Sequence, residues 1–247
     1  MAPIFGLILH LSRATARRDN VVALRKSLPF PSEICAAVDA QTLTAQAREA
    51  YVPQGLWDPR YPFGLNDTEI AVFLSYRAAW QRIVQSDQDA GFVVEDDVAL
   101  TAAAFARAWN LAAPHIDESC WIRFPWKPRD RGGAALATAE DARMFRADAI
   151  GLGMQAQVFG RTTAVRLLEL TSTFDRPVDA FLQMSWVTDM CPLVVWPSGV
   201  VDISDQLGGS TLSKHRGGIA SRLMRDVRRL RYRRAIARYS NEKSPKG

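Results

Sequence analysis

Cysteine is scarce in this chain: Cys35, Cys120 and Cys191 stand far apart, each in an apolar run. Three widely spaced thiols exclude a disulfide framework and a cysteine zinc site. They read as small buried hydrophobes in a reducing, cytoplasmic setting. Long apolar runs are missing too. Residues 4–11 are apolar, but a bilayer span needs roughly 20 such residues. No basic segment precedes that run and no small-residue cleavage site follows it, so it is expected to be a buried first strand rather than a signal peptide. Glycine and proline are not enriched, and neither an internal repeat nor a low-complexity segment is present.

Charge is unevenly placed. The net charge over 247 residues is +5, but twelve Lys or Arg fall from Lys214 onward against only Asp226 and Glu242. A mildly acidic body, residues 1–212, is therefore expected to be followed by a basic tail, residues 213–247. Nine arginines lie between Arg216 and Arg238, with Leu223, Val227 and Leu230 on one helical stripe. That pattern predicts a helix resting on an anionic membrane surface. Nucleic-acid binding is the weaker reading of the same arginines.

The body alternates strand and helix patterns. Residues 4–11 (strand), 15–28 (helix) and 34–38 (strand) make a β-α-β opening, which implies a mostly parallel α/β sheet flanked by helices. Pro53, Gly55, Pro59, Pro62 and Gly64 mark a long loop carrying Trp57, Tyr61 and Phe63, an aromatic platform suited to stacking on a sugar, or else a cover for the core. Asn66, Asp67 or Thr68 can cap the helix that follows. Further helices are expected over 102–111, 162–171 and 178–187, and strands over 120–124, 156–159 and 193–196, the last taken as the final strand. Gly151-Leu152-Gly153-Met154-Gln155-Ala156 matches a dinucleotide fingerprint in letters, but residues 146–150 make a poor strand before it, which argues against that reading.

The apolar strand Phe92-Val93-Val94 runs straight into Glu95-Asp96-Asp97. Three adjacent carboxylates repel one another unless a cation offsets them. In open α/β sheets, ligands sit beyond the carboxyl ends of strands. Alternation turns Glu95 and Asp97 the same way, so these two are the expected ligands of Mn²⁺ or Mg²⁺, with a substrate diphosphate completing the shell. Asp96 would then point elsewhere, to a ribose hydroxyl or a backbone amide. The plain alternative is that the acids end the strand and favour the next helix.

The wider context resembles glycosyltransferase family 25. Glu69-Ile70, Leu74-Ser75 and Trp80 match the family's helix, and Gly91-Phe92-Val93-Val94-Glu95-Asp96-Asp97-Val98 matches its strand and acidic triplet. Ala37-Val38-Asp39-Ala40, Gly153-Met154-Gln155-Ala156 and Arg176-Pro177-Val178-Asp179 fall in family order across roughly residues 4–212. The family's Gly-Cys is Ala71-Val72 here, and its His is Tyr76.

The resemblance implies a GT-A-like nucleotide-sugar fold, a UDP-sugar donor and inverting hexose transfer to a bacterial surface glycan or glycolipid. On this reading Arg13, Arg17, Arg18, Asp39 and Asp96 meet the donor, and Glu95, Asp97 and His215 hold the metal. Asp179, starting a helix near the site, is the general base. A lipid-linked acceptor would suit an enzyme peripheral to the inner membrane. The alternative is a non-catalytic glycan- or nucleotide-binding protein that retains the fold.

Overall fold

The structure is a computed structural model, and it describes residues 3–53, 55–207 and 219–243. Eleven strands and eight α-helices alternate along these residues. The first part runs β1 (Ile4–His10), α1 (Arg18–Ser27), β2 (Ser32–Ala36), α2 (Ala45–Arg48), α3 (Asp67–Val84), β3 (Ala90–Glu95), β4 (Val98–Leu100), α4 (Ala102–Ala112) and β5 (Trp121–Arg123). The second runs β6 (Arg131–Gly132), β7 (Ala137–Ala139), β8 (Ala142–Ala149), β9 (Ala156–Gly160), α5 (Arg161–Leu170), α6 (Val178–Leu182), α7 (Ser185–Thr188), β10 (Leu193–Trp196), β11 (Val200–Asp202) and α8 (Ile219–Lys243).

Nine strands form one sheet in the order β2-β1-β3-β9-β5-β10-β8-β6, with β7 also paired to β8. The β-α-β opening is parallel, as β1 pairs in parallel with both β2 and β3. The sheet is mixed beyond that point: β9 is antiparallel to β3 and β5, and β8 is antiparallel to β10. Helices cover both faces. One core cluster gathers Leu7, Leu9 and Val93 under α3, α5 and α6; the other gathers Ile8, Phe92 and Val94 under α1 and α4. This division follows from strand alternation.

Helix α3 begins where its sequence dictates. Asn66 accepts from the Glu69 N–H, and Glu69 accepts from the Asn66 N–H, a reciprocal capping box. Phe73 stacks on Phe174 with ring centroids 3.9 Å apart. Three expectations fail. Residues 142–149 do form a strand, because pairing with β10 on one side and β6 and β7 on the other overrides weak local propensity. The helix expected over 178–187 breaks into α6 and α7. Residue 196 does not end the last strand, because β11 follows and pairs with β4.

The chain leaves β1 in both directions, to β2 on one side and β3 on the other. Their carboxyl ends finish level, with His10 opposite Ala36 and Leu9 opposite Glu95. Such a switch point opens a crevice at the strand ends, and a cleft among the described residues lies there.

Candidate functional site

Glu95 is the last residue of β3, and Asp96-Asp97 form the turn into β4. Alternation places Glu95 on the Val93 face, toward α3, where the buried Tyr76 meets it. The Tyr76 hydroxyl lies 2.9 Å from Glu95 Oε1 and 2.9 Å from the Met154 carbonyl oxygen. One hydroxyl proton cannot serve two acceptors. It donates to one or the other, and its bond to Glu95 favours the ionised carboxyl. Burial first and the Asp97 charge second outweigh that bond and push the Glu95 carboxyl up to about 8.

Asp96 falls on the opposite face and is buried. Its Oδ2 lies 2.7 Å from His10 Nδ1, its Oδ1 accepts from Arg17 at 2.6 Å, and Asn20 Nδ2 donates to its carbonyl at 2.9 Å. Both carboxylate oxygens are engaged by the protein, which anchors the side chain, and Asp96 also lines the cleft. Asp97 sits between, with Oδ2 at 3.2 Å from the same Arg17 guanidinium. Burial raises its carboxyl, Arg17 opposes the rise, and Asp96 and Asp202 add to it.

Asp202 was not foreseen. It arrives through the β11–β4 ladder, where it pairs with Val98 directly after the triplet, and no local pattern marked residues 200–202 as a strand.

These carboxylates face a cleft of about 1690 Å³, larger than the roughly 300–1,000 Å³ of a typical small-molecule pocket. Arg13, Arg17, Glu95, Asp97, Asp179 and Asp202 all line it. Arg18 does not: it lies exposed on α1, because one residue along a helix turns a side chain by about 100°. Asp39 stands just behind the wall, where its Oδ2 accepts from Arg13 Nε at 2.8 Å. The Gln41 N–H and the Arg13 guanidinium hold its carboxyl below the usual range. Asp39 thus steers Arg13 instead of lining the cleft. His215 lies outside the described residues.

Asp179 is the second residue of α6 and lines the cleft. Its Oδ1 accepts from the Ala180 N–H at 2.8 Å, and burial raises its carboxyl. The loop at 151–153 is held beside it by Arg123, which donates to the Gly151 and Gly153 carbonyls at 2.9 and 3.2 Å. Gly153 has φ +119°, a value only glycine adopts cheaply. The motif that imitates a dinucleotide fingerprint is therefore a site loop between β8 and β9.

The aromatic platform divides. Tyr61 and Phe63 line the cleft. Trp57 packs on Phe181 at 5.1 Å and lies under Arg176, which makes it core cover. Arg176 is fully buried and is the residue that sequence reasoning missed most completely. It donates to Asp175 at 2.7 Å, to the Trp57 carbonyl at 2.8 Å and to the Tyr232 hydroxyl at 3.2 Å. The basic helix α8 is thereby tied to the body. Ser240 donates to the Asp148 carbonyl at 2.9 Å, and Tyr239 packs on Trp186 at 5.4 Å.

No group of three His, Cys, Asp or Glu among the described residues forms a ready-made metal cage. Glu95 and Asp97 nevertheless fit a hard divalent cation: two crowded oxygen ligands, both raised by burial and neighbouring charge, with space beyond them for a ligand that brings oxygens of its own. No helix among the described residues is long and apolar enough to cross a membrane.

No curated protein matches the chain. A family model described as glycosyltransferase family 25 (LPS biosynthesis protein) matches residues 3–182. That span holds β1, α1, the capped helix α3, the Glu95-Asp96-Asp97 turn and Asp179, and on this match the chain belongs to glycosyltransferase family 25 and is a glycosyltransferase.

Proposed function

We propose that the chain transfers a hexose, with inversion, from a UDP-sugar to a hydroxyl of a bacterial surface glycan such as lipooligosaccharide, with Mn²⁺ or Mg²⁺ at Glu95 and Asp97. The observation that carries the reading is the placement of two under-compensated carboxylates at the carboxyl end of β3, in a cleft with room for more than one substrate. Bound there, the cation would supply Lewis-acid stabilisation of charge on the departing diphosphate.

The protein's own groups divide the remaining work. Arg17, fixed by Asp96, and Arg13, steered by Asp39, offer guanidinium donors to phosphate oxygens at the same end. Asp179 takes the proton of the acceptor hydroxyl as its oxygen bonds to the sugar's anomeric carbon. The bond from that carbon to the phosphate oxygen breaks, and UDP leaves with the electron pair. Burial suits Asp179 to this role, since a raised carboxylate is a stronger base. Tyr61 and Phe63 offer faces on which an acceptor sugar stacks. On the outer side of α8, exposed Val227 and Leu230 stand near Arg231 and Arg234, which suits peripheral contact with an anionic membrane.

The test has two measurements. Calorimetry with UDP should show binding that requires Mn²⁺ and is lost in Asp97→Asn. UDP release from a panel of UDP-sugars should fall by about 10²–10⁴ in Asp179→Asn with donor affinity unchanged. Full turnover by Asp179→Asn would remove the base assignment, and metal-independent UDP binding would remove the cation.

A further inference from the structure

Helix α8 turns a continuous stripe into the cleft: Arg225, Arg228, Arg229, Tyr232, Arg233 and Ile236 all line it. The spacing is that of one helical face. Arg229 is engaged, 3.7 Å from Asp226 and over the Phe63 ring. Arg225, Arg228 and Arg233 have no hydrogen bond or ion pair within the described residues, and every acidic side chain of the protein lies among those residues. Like charges at such spacing repel, so the stripe has a cost that an anion would relieve.

The stripe and the donor's diphosphate have different neighbours. The tie from Arg176 to Tyr232 and the edge-on packing of Tyr61 on Tyr232 at 5.3 Å fix α8 beside Pro177-Val178-Asp179. The guanidiniums of Arg13 and Arg17 are held instead by Asp39 and by Asp96 and Asp97. The stripe also lines the cleft, while Arg231, Arg234 and Arg238 do not.

We propose that Arg225, Arg228 and Arg233 bind a phosphoryl group carried by the glycan acceptor, so that the preferred acceptor is a phosphorylated sugar. This rests on the glycosyltransferase reading and adds the acceptor's chemical class. Guanidinium suits the task because its planar fork meets two phosphate oxygens at once.

The test uses the full chain in EDTA, titrated with glucose 6-phosphate and with glucose by calorimetry. Glucose 6-phosphate should bind and glucose should not. The triple variant Arg225→Gln, Arg228→Gln, Arg233→Gln should weaken that binding about tenfold or more, and added salt should weaken it in the wild type. The charge-matched triple Arg231→Gln, Arg234→Gln, Arg238→Gln should bind within about twofold of wild type, since these three do not line the cleft. Should the first triple unfold early, the single Arg228→Gln, at an exposed position, carries the same test. Sedimentation with phosphatidylglycerol vesicles runs in parallel. Vesicle binding lost in the first triple, without any glucose 6-phosphate binding in the wild type, would assign the stripe to lipid and overturn the proposal. Equal losses in the two triples would reduce it to unspecific charge. Loss of Mn²⁺-dependent UDP binding in the first triple would reassign the arginines to the donor. Glucose 6-phosphate binding in a wild type that binds no UDP would support the anion site and overturn the donor assignment instead.

Discussion

Replacing Arg176 by methionine tests the packing that holds the two sides of the cleft together. The guanidinium is wholly buried beside Asp175, which is also fully buried. Its Nε donates to Asp175 Oδ1 at 2.7 Å, and its Nη2 reaches Asp175 Oδ2 at 3.2 Å and the Trp57 carbonyl at 2.8 Å. Its Nη1 reaches the Pro59 carbonyl and the Tyr232 hydroxyl, each at 3.2 Å. Methionine approximates the volume and supplies none of these donors. Asp175 then keeps the Leu56 N–H at 3.2 Å as its remaining donor among the described contacts. Breaking one side of a buried ion pair costs about 3–5 kcal/mol, mostly through the stranded charge. For a chain of this size that corresponds to a fall of roughly 6–20 °C in Tm. Adding Asp175→Asn removes the stranded charge and should recover at least about 1 kcal/mol. Urea unfolding followed by tryptophan fluorescence measures both variants. If Arg176→Met lies within about 1 kcal/mol of wild type, or if the double variant is no more stable than the single, the ion-pair reasoning is wrong.

The Glu95 carboxyl, at about 8, is protonated near neutral pH. Binding Mn²⁺ should therefore release about one proton between roughly pH 5 and 8, measured by calorimetry in buffers of different ionisation enthalpy; zero release would contradict the raised Glu95 carboxyl. Because that folded value lies above the ordinary 4.5, the folded state binds the extra proton, and this group lowers metal-free stability as pH rises from about 4.5 to 8. Added Mn²⁺ should raise Tm more at pH 8 than at pH 5. Tyr76→Phe removes a contact that favours the ionised Glu95 carboxyl, so the pH midpoint of Mn²⁺ binding should move upward, and a downward shift would count against the assigned contact. Asn66→Ala deletes the acceptor of the α3 capping box and should cost about 1 kcal/mol, read as the shift in urea midpoint.

Local pattern was enough for much of this molecule. Apolar residues 4–11, the helical spacing of Val21, Leu24 and Leu28, and the short run at 34–38 sufficed for the parallel opening, because each element carries its own period in adjacent residues. The capping box at Asn66 and Glu69 is likewise local, and the acidic triplet after Phe92-Val93-Val94 marks a candidate site within adjacent residues. Tertiary structure decided what depends on distant partners. Strand β8 exists through its ladders to β6, β7 and β10, and Asp202 reaches the site through β11 pairing with β4. Side chains from distant elements meet the three acids one by one: Tyr76 from α3 meets Glu95, His10 and Arg17 enclose Asp96, and Arg17 also reaches Asp97, while all three line the cleft. The sequence alone shows nine arginines in a tail; only the ties from Tyr232, Tyr239 and Ser240 to the body turn some of them inward, since a helix's own period says which residues share a face but not what that face meets.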